Sequence, residues 1–68
     1  EKTEDGVRAL LKDRLIGIHS NAMKKQYITY TEMERASTMY EAYHGLGGNG
    51  TGTAIMEELK HLHIQRDD

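Results

Sequence analysis

Four groups of residues in this chain have types and spacings that could do chemistry. The first is a glycine run. Gly45-Leu-Gly47-Gly-Asn-Gly50 matches G-x-G-x-x-G letter for letter, the pattern that brings backbone N–H groups up to a dinucleotide pyrophosphate. That chemistry needs a strand before the run, and Met33 to His44 has helical periodicity instead. Gly47 and Gly52 have P-loop spacing, but Thr53 stands where the phosphate-binding lysine belongs. The better reading is punctuation. Glycine reaches positive φ without strain and ends helices, so one of Gly45, Gly47 and Gly48 is expected at φ > 0, Gly47 first among them. Asn49 is then the cap of the next helix. The N–H groups starting that helix at Gly50 leave small-anion or nucleotide binding as the alternative function.

The second group is Gln26-Tyr-Ile-Thr-Tyr-Thr-Glu32, similar to the second half of an EF-hand loop, with the isoleucine and the final glutamate in place. The preceding ligand positions would be Asn21, Met23 and Lys25. An ammonium group there repels calcium, so an EF-hand-like path without calcium is expected. The third is Glu58-x-x-His61 with His63 nearby. Di-metal helical bundles need two such pairs and two more carboxylates, so no resident metal and no cofactor are expected. The fourth is His44 with His19 or Asp13 as an acid–base pair. No nucleophile accompanies them, and His44 reads as a capping or rim residue of the glycine turn. No catalytic residue is assigned.

These residues must be positioned by a small chain. Its 68 residues make at most one domain, which buries only about 60% of its unfolded surface. It has no Cys, Trp or Phe, so neither a disulfide nor a large aromatic core supports it, and a partner or a homo-oligomer is expected. A net charge of −2, with acidic residues interspersed among the basic ones of the first third, argues against nucleic acid. No apolar run approaches the roughly 20 residues of a membrane span. The first residue is Glu1, and a missing preceding segment is expected. Ser20-Asn-Ala-Met23 has the look of an expression-tag scar, but it continues a helical pattern and is kept in the fold.

The expected fold is all-α, with three helices over about 6–24, 31–45 and 50–63. Asp5 should cap the first and Glu4 should pair with Arg8. Val7, Leu11, Leu15, Ile18 and Ala22 form its stripe, widened by Leu10. Gly17 costs about 1 kcal/mol inside a helix and marks a close contact or simple tolerance. Arg14 borders the stripe, to snorkel, to meet a carboxylate or to bind an anion. Two capping boxes, Thr29-x-x-Glu32 and Thr31-x-x-Glu34, announce the second helix. Its apolar face is Met33, Ala36, Tyr40 and Tyr43, closed by Leu46, with the tyrosines at the core edge and their hydroxyls wet. Ile55, Leu59 and Leu62 form the third stripe, flanked by Met56. Thr53 is its alternative cap, and the tail from Gln65 frays.

Three segments, Ala9-Leu-Leu-Lys-Asp-Arg-Leu15, Met23-Lys-Lys-Gln-Tyr-Ile28 and Met39-Tyr-Glu-Ala-Tyr-His-Gly-Leu-Gly-Gly-Asn-Gly50, resemble a family of small phage and prophage proteins. The resemblance spans Gly6 to Leu62. It implies a non-enzymatic phage module for protein–protein contact or assembly, located in the host cytoplasm or on the virion. Members often carry a hydrophobic N-terminal segment and tend to be encoded near tail or lysis genes, so it also implies the soluble part of a protein held at the cytoplasmic membrane. Two departures stand out. Family members usually have glycine where Gln26 stands, and many end the third helix at a proline that this chain lacks. The residues offered for interaction or for the turn are Arg14, Tyr40, Tyr43, His44, Gly47, Gly48, Asn49 and Gly50.

Overall fold

The apolar positions at helical spacing fold into three helices, and the ends of those helices show where local chemistry outranked the expected boundaries. The computed structural model describes residues 3–48 and 50–67. In chain order the elements are α1 (Glu4–Lys25), β1 (Tyr27–Thr29), α2 (Tyr30–Gly45), α3 (Gly50–Lys60) and β2 (His63–Gln65). The fold is therefore all-α apart from one two-stranded ladder.

α1 begins two residues early because Thr3, not Asp5, is its cap. The Thr3 hydroxyl accepts the Gly6 N–H at 3.0 Å, satisfying one of the orphan donors of the first turn. Asp5 is thereby released to pair with Arg8 at 2.5 Å, in place of the expected Glu4–Arg8 pair. The Ser20–Met23 segment lies inside α1 and its Ala22 is fully buried, so it belongs to the fold. α2 uses the first of the two capping boxes. Thr29 Oγ1 accepts the Glu32 N–H at 3.1 Å and Glu32 Oε1 accepts the Thr29 N–H at 3.0 Å. Thr31 stays inside the helix, and its N–H is taken by Asp67 Oδ1 from the tail.

The core draws on four of the five elements. Leu15 and Ala22 come from α1, Ile28 from β1, Ala36 and Tyr43 from α2, and Ile55, Met56 and Leu59 from α3. Leu11, Ile18, Met33, Met39, Tyr40 and Leu62 pack against it from the edge. Met56 is a core residue rather than a flank. Leu10 does not widen the core stripe; it is 47% exposed.

The ladder replaces both a loop and a fraying tail. Ile28 pairs with Ile64, Tyr27 with His63 and Thr29 with Gln65, in parallel. Parallel strands need a long crossover, and α2 with α3 supplies it. The cause is Ile28, a β-branched residue with no exposed surface, which pins the first connection to the core and offers its backbone to the tail. α3 consequently stops at Lys60 instead of His63. Its last turn tightens through His61 N–H to Glu58 O and Leu62 N–H to Leu59 O, each at 3.1 Å.

Candidate functional site

The glycine turn is filled by its own chain. α2 ends in a Schellman arrangement: the Gly47 N–H donates to His44 O and the Gly48 N–H to Tyr43 O, both at 3.0 Å. Gly47 has φ +81, as expected of the residue just past the helix end. Gly48 is required for a different reason. A Cβ built there would overlap three ring atoms of Tyr43. Gly52 is similar, since its Cβ would lie 2.9 Å from Tyr43 Cδ2 and 3.2 Å from Tyr40 Cδ1. The two glycines thus form a slot for the Tyr43 ring, which is 3% exposed. Tyr43 is a core residue, not the wet edge residue its spacing suggested. Tyr40 does sit at the edge, with its hydroxyl 3.0 Å from Thr53 Oγ1 and its ring stacked on His44 at 5.7 Å. Thr53 lies within α3 and does not cap it. Gly45 and Gly50 have open space around a would-be Cβ. Asn49, expected as the cap of α3, lies outside the described residues.

The connection between α1 and α2 is built on charge. Gln26 adopts φ 67, ψ 20, the left-handed conformation that an EF-hand loop gives to its invariant glycine. Ile28 enters a ladder and Glu32 turns back onto Thr29, but α1 runs to Lys25, so the would-be ligand positions Asn21, Met23 and Lys25 are helical and only the second half of the segment follows an EF-hand-like path. Lys25 closes that half. The ammonium meets Glu32 Oε1 at 2.8 Å and Oε2 at 2.9 Å, and lies 4.8 Å from the centre of the Tyr27 ring. Asn21 Nδ2 donates to the same carboxylate at 3.4 Å. The Lys25 hydrogen bond holds the Glu32 carboxyl below the usual glutamate range, helped by the Thr29 N–H. Asp67, on the tail, is likewise held low, chiefly by its hydrogen bonds from Thr31, with Arg35 a lesser contributor.

The histidines separate. His19 contacts Glu58 through Nε2, while His44 stacks on Tyr40, so the two do not form an acid–base pair with each other. Glu58 is engaged with α1 through that contact. Among the described residues no group of three or more His, Cys, Asp or Glu side chains could hold a metal ion.

A groove runs between α1 and α2, and no residue of α3 lines it. One half, of about 390 Å³, is lined by Arg14, Gly17, Ile18, Asn21, Arg35 and Met39, with Glu32 at its end. The other, of about 300 Å³, is lined by Val7, Leu10, Leu11, Arg14 and Met39. Arg14 and Met39 belong to both halves, so the groove runs along most of α1. Among the described residues neither Arg14 nor Arg35 takes part in an ion pair. Arg14 was legible in the sequence as the cation beside an apolar stripe. Arg35 and Met39 were missed, although their spacing of four places them on one helix face beside Ala36.

No family model, no curated protein and no solved structure matches this chain. No helix among the described residues is long and apolar enough to cross a membrane. The groove and its two arginines therefore carry the functional argument.

Proposed function

We propose that the chain is a non-enzymatic phage module that works through protein–protein contact or assembly, as the soluble part of a membrane-anchored phage protein. The observation that carries this reading is the α1–α2 groove, an apolar furrow flanked by arginines that the fold leaves uncovered. A small core, whose largest fully buried side chains among the described residues are Leu15, Ile28 and Leu59, supports it, because small cores gain stability from a partner or from oligomerisation. The phage assignment rests on the three resembling segments quoted above.

The anion-binding alternative at the glycine turn has weaker support, since the Tyr43 ring lies where a ligand would approach Gly48 and Gly52. The two readings separate in one experiment. Backbone amide shifts of Gly47–Thr53 are followed against a panel of nucleotides and inorganic phosphate, beside chemical cross-linking of the tagged protein in phage-infected cells. The interaction reading expects a stoichiometric cross-linked protein partner, or a homo-oligomer by sedimentation, and unmoved turn amides. Saturable shifts at the turn with neither partner nor oligomer would overturn it.

A further inference from the structure

The groove has a length, a charge and a floor, and together these describe what fits it. On α1 its lining residues Val7, Leu10, Leu11, Arg14, Gly17, Ile18 and Asn21 recur every three or four positions, the spacing of one helix face. From residue 7 to residue 21 that face runs roughly 21 Å, four turns of helix. The opposite furrow of the same helix pair is already filled by α3. The open one is the place where a further helix would complete a four-helix packing.

Charge sets the partner's chemistry. The chain carries a net −2, yet among the described residues Arg14 is in no ion pair and Arg35 has only the exposed tail carboxylate of Asp67 as a weak charge neighbour, while Glu32 at the end of this face is neutralised by Lys25. The floor is apolar, from Leu10, Leu11, Ile18 and Met39. Gly17 adds an independent observation. It interrupts an otherwise good helix, and a Cβ there would meet nothing within 4 Å, so no packing inside the chain calls for it. A glycine on the floor of a groove lets an incoming helix backbone approach closely.

We infer that the α1–α2 groove is the docking site for an acidic amphipathic helix of a partner protein, seated on Leu10, Leu11, Ile18 and Met39 over Gly17 and held by Arg14 and Arg35. This rests on the interaction reading and gives it a site and a partner chemistry. The mode is a helix in a groove, with the arginines fixing orientation through carboxylates.

The test uses two designed helical peptides of about four turns with the same leucine stripe, one flanked by glutamates and one by lysines. Fluorescence anisotropy measures each against the wild-type chain, Gly17→Leu, Gly17→Ala and the double variant Arg14→Glu/Arg35→Glu. The acidic peptide should bind the wild type at least tenfold tighter than the basic one, with the preference shrinking as salt rises. The double charge reversal should invert the preference. Gly17→Leu should weaken the acidic peptide at least tenfold while melting no lower than the wild type, which shows that the fold is intact. Gly17→Ala should melt higher and bind more weakly. Equal affinity for the two peptides, no binding up to about 1 mM, or indifference to Gly17→Leu would overturn the proposal. So would a wild-type dimer that Gly17→Leu converts to monomer, because the occupant would then be a second copy. Cross-linking the Gly17→Leu variant in infected cells keeps the two levels apart. A partner retained by that variant leaves the interaction reading standing and removes the groove from it.

Discussion

The two connections that flank α2 both reverse the chain, and they do so with opposite means. The first, Gln26–Thr29, is held by polar chemistry: a capping box, a lysine seated on a carboxylate, and a left-handed residue that is not glycine. The second, after Gly45, is held by shape: a ring laid on two glycines that have no room for a side chain. The first should therefore respond to pH and salt and tolerate changes of side-chain volume. The second should ignore pH and tolerate no added volume. The contrast also explains why a glycine run that matches a nucleotide motif is a poor guide to function here. Within that run Gly47 ends α2 at a positive φ and Gly48 makes room for the Tyr43 ring.

The largest expected effect is at the second connection. Gly48→Ala forces a methyl group into the Tyr43 ring and should cost about 1–3 kcal/mol as overpacking, or more if the ring leaves the core. In a domain this small each kcal/mol lowers the melting temperature by roughly 4–8 °C. Gly47→Ala should cost about 1 kcal/mol through its positive φ alone. Gly45→Ala, in open space, should leave the melt unchanged or raise it slightly. Equal losses at Gly45 and Gly48 would erase the distinction between ring packing and generic flexibility.

Next in size is the first connection. Glu32→Ala removes the capping box and the Lys25 contact, and should cost about 1–2 kcal/mol. The pH dependence follows from the lowered Glu32 value. A carboxyl depressed in the folded state contributes stability that is fully present above its unfolded value. That contribution is lost as pH falls through the folded value. Denaturant melts of the wild type should thus weaken as pH drops below the ordinary glutamate value of 4.5, and Glu32→Gln should show a flatter acid limb. An unchanged acid limb in Glu32→Gln would remove the charge from the account.

A smaller gain is expected from Gln26→Gly. The left-handed backbone costs a non-glycine residue about 1–2 kcal/mol, partly offset by the Gln26 side chain donating to Met23 O at 3.2 Å and by the entropy of a glycine in the unfolded chain. A rise of under about 1 kcal/mol is the expected outcome in thermal melts. The smallest effect is calcium's. With Lys25 on Glu32 there is no place for the ion, and calorimetry at millimolar calcium against a magnesium control should show no specific heat. A dissociation constant below about 100 μM, within the range of true sites, would contradict this.

The sequence made the helices legible because their apolar positions recur at 3.6 spacing and their caps are local. Gly47 was readable for the same reason, since a helix end and a positive φ are matters of a few neighbouring residues. The ladder was not readable. Ile28 and Ile64 are far apart in the chain, and three residues cannot show a period of two against a helical background. Tyr43 was placed at the edge because helical spacing gives a direction but not a depth. Its burial depends on Gly48 and Gly52, which look like flexibility in a string of letters and act as a socket in space. The groove was half visible through Arg14 and hidden in the rest, because a furrow belongs to two helices at once and its charge depends on Lys25 silencing Glu32.

The most direct measurement is a double-mutant cycle on the socket, with unfolding free energies for Gly48→Ala in the wild type and in Tyr43→Val. If the glycines exist to seat the ring, Gly48→Ala costs at least about 1 kcal/mol with Tyr43 present and close to nothing once the ring is gone, a coupling typical of residues in contact. The same cost in both backgrounds would mean that the backbone itself needs glycine there. The turn would then again be a candidate ligand cradle rather than a part of the core.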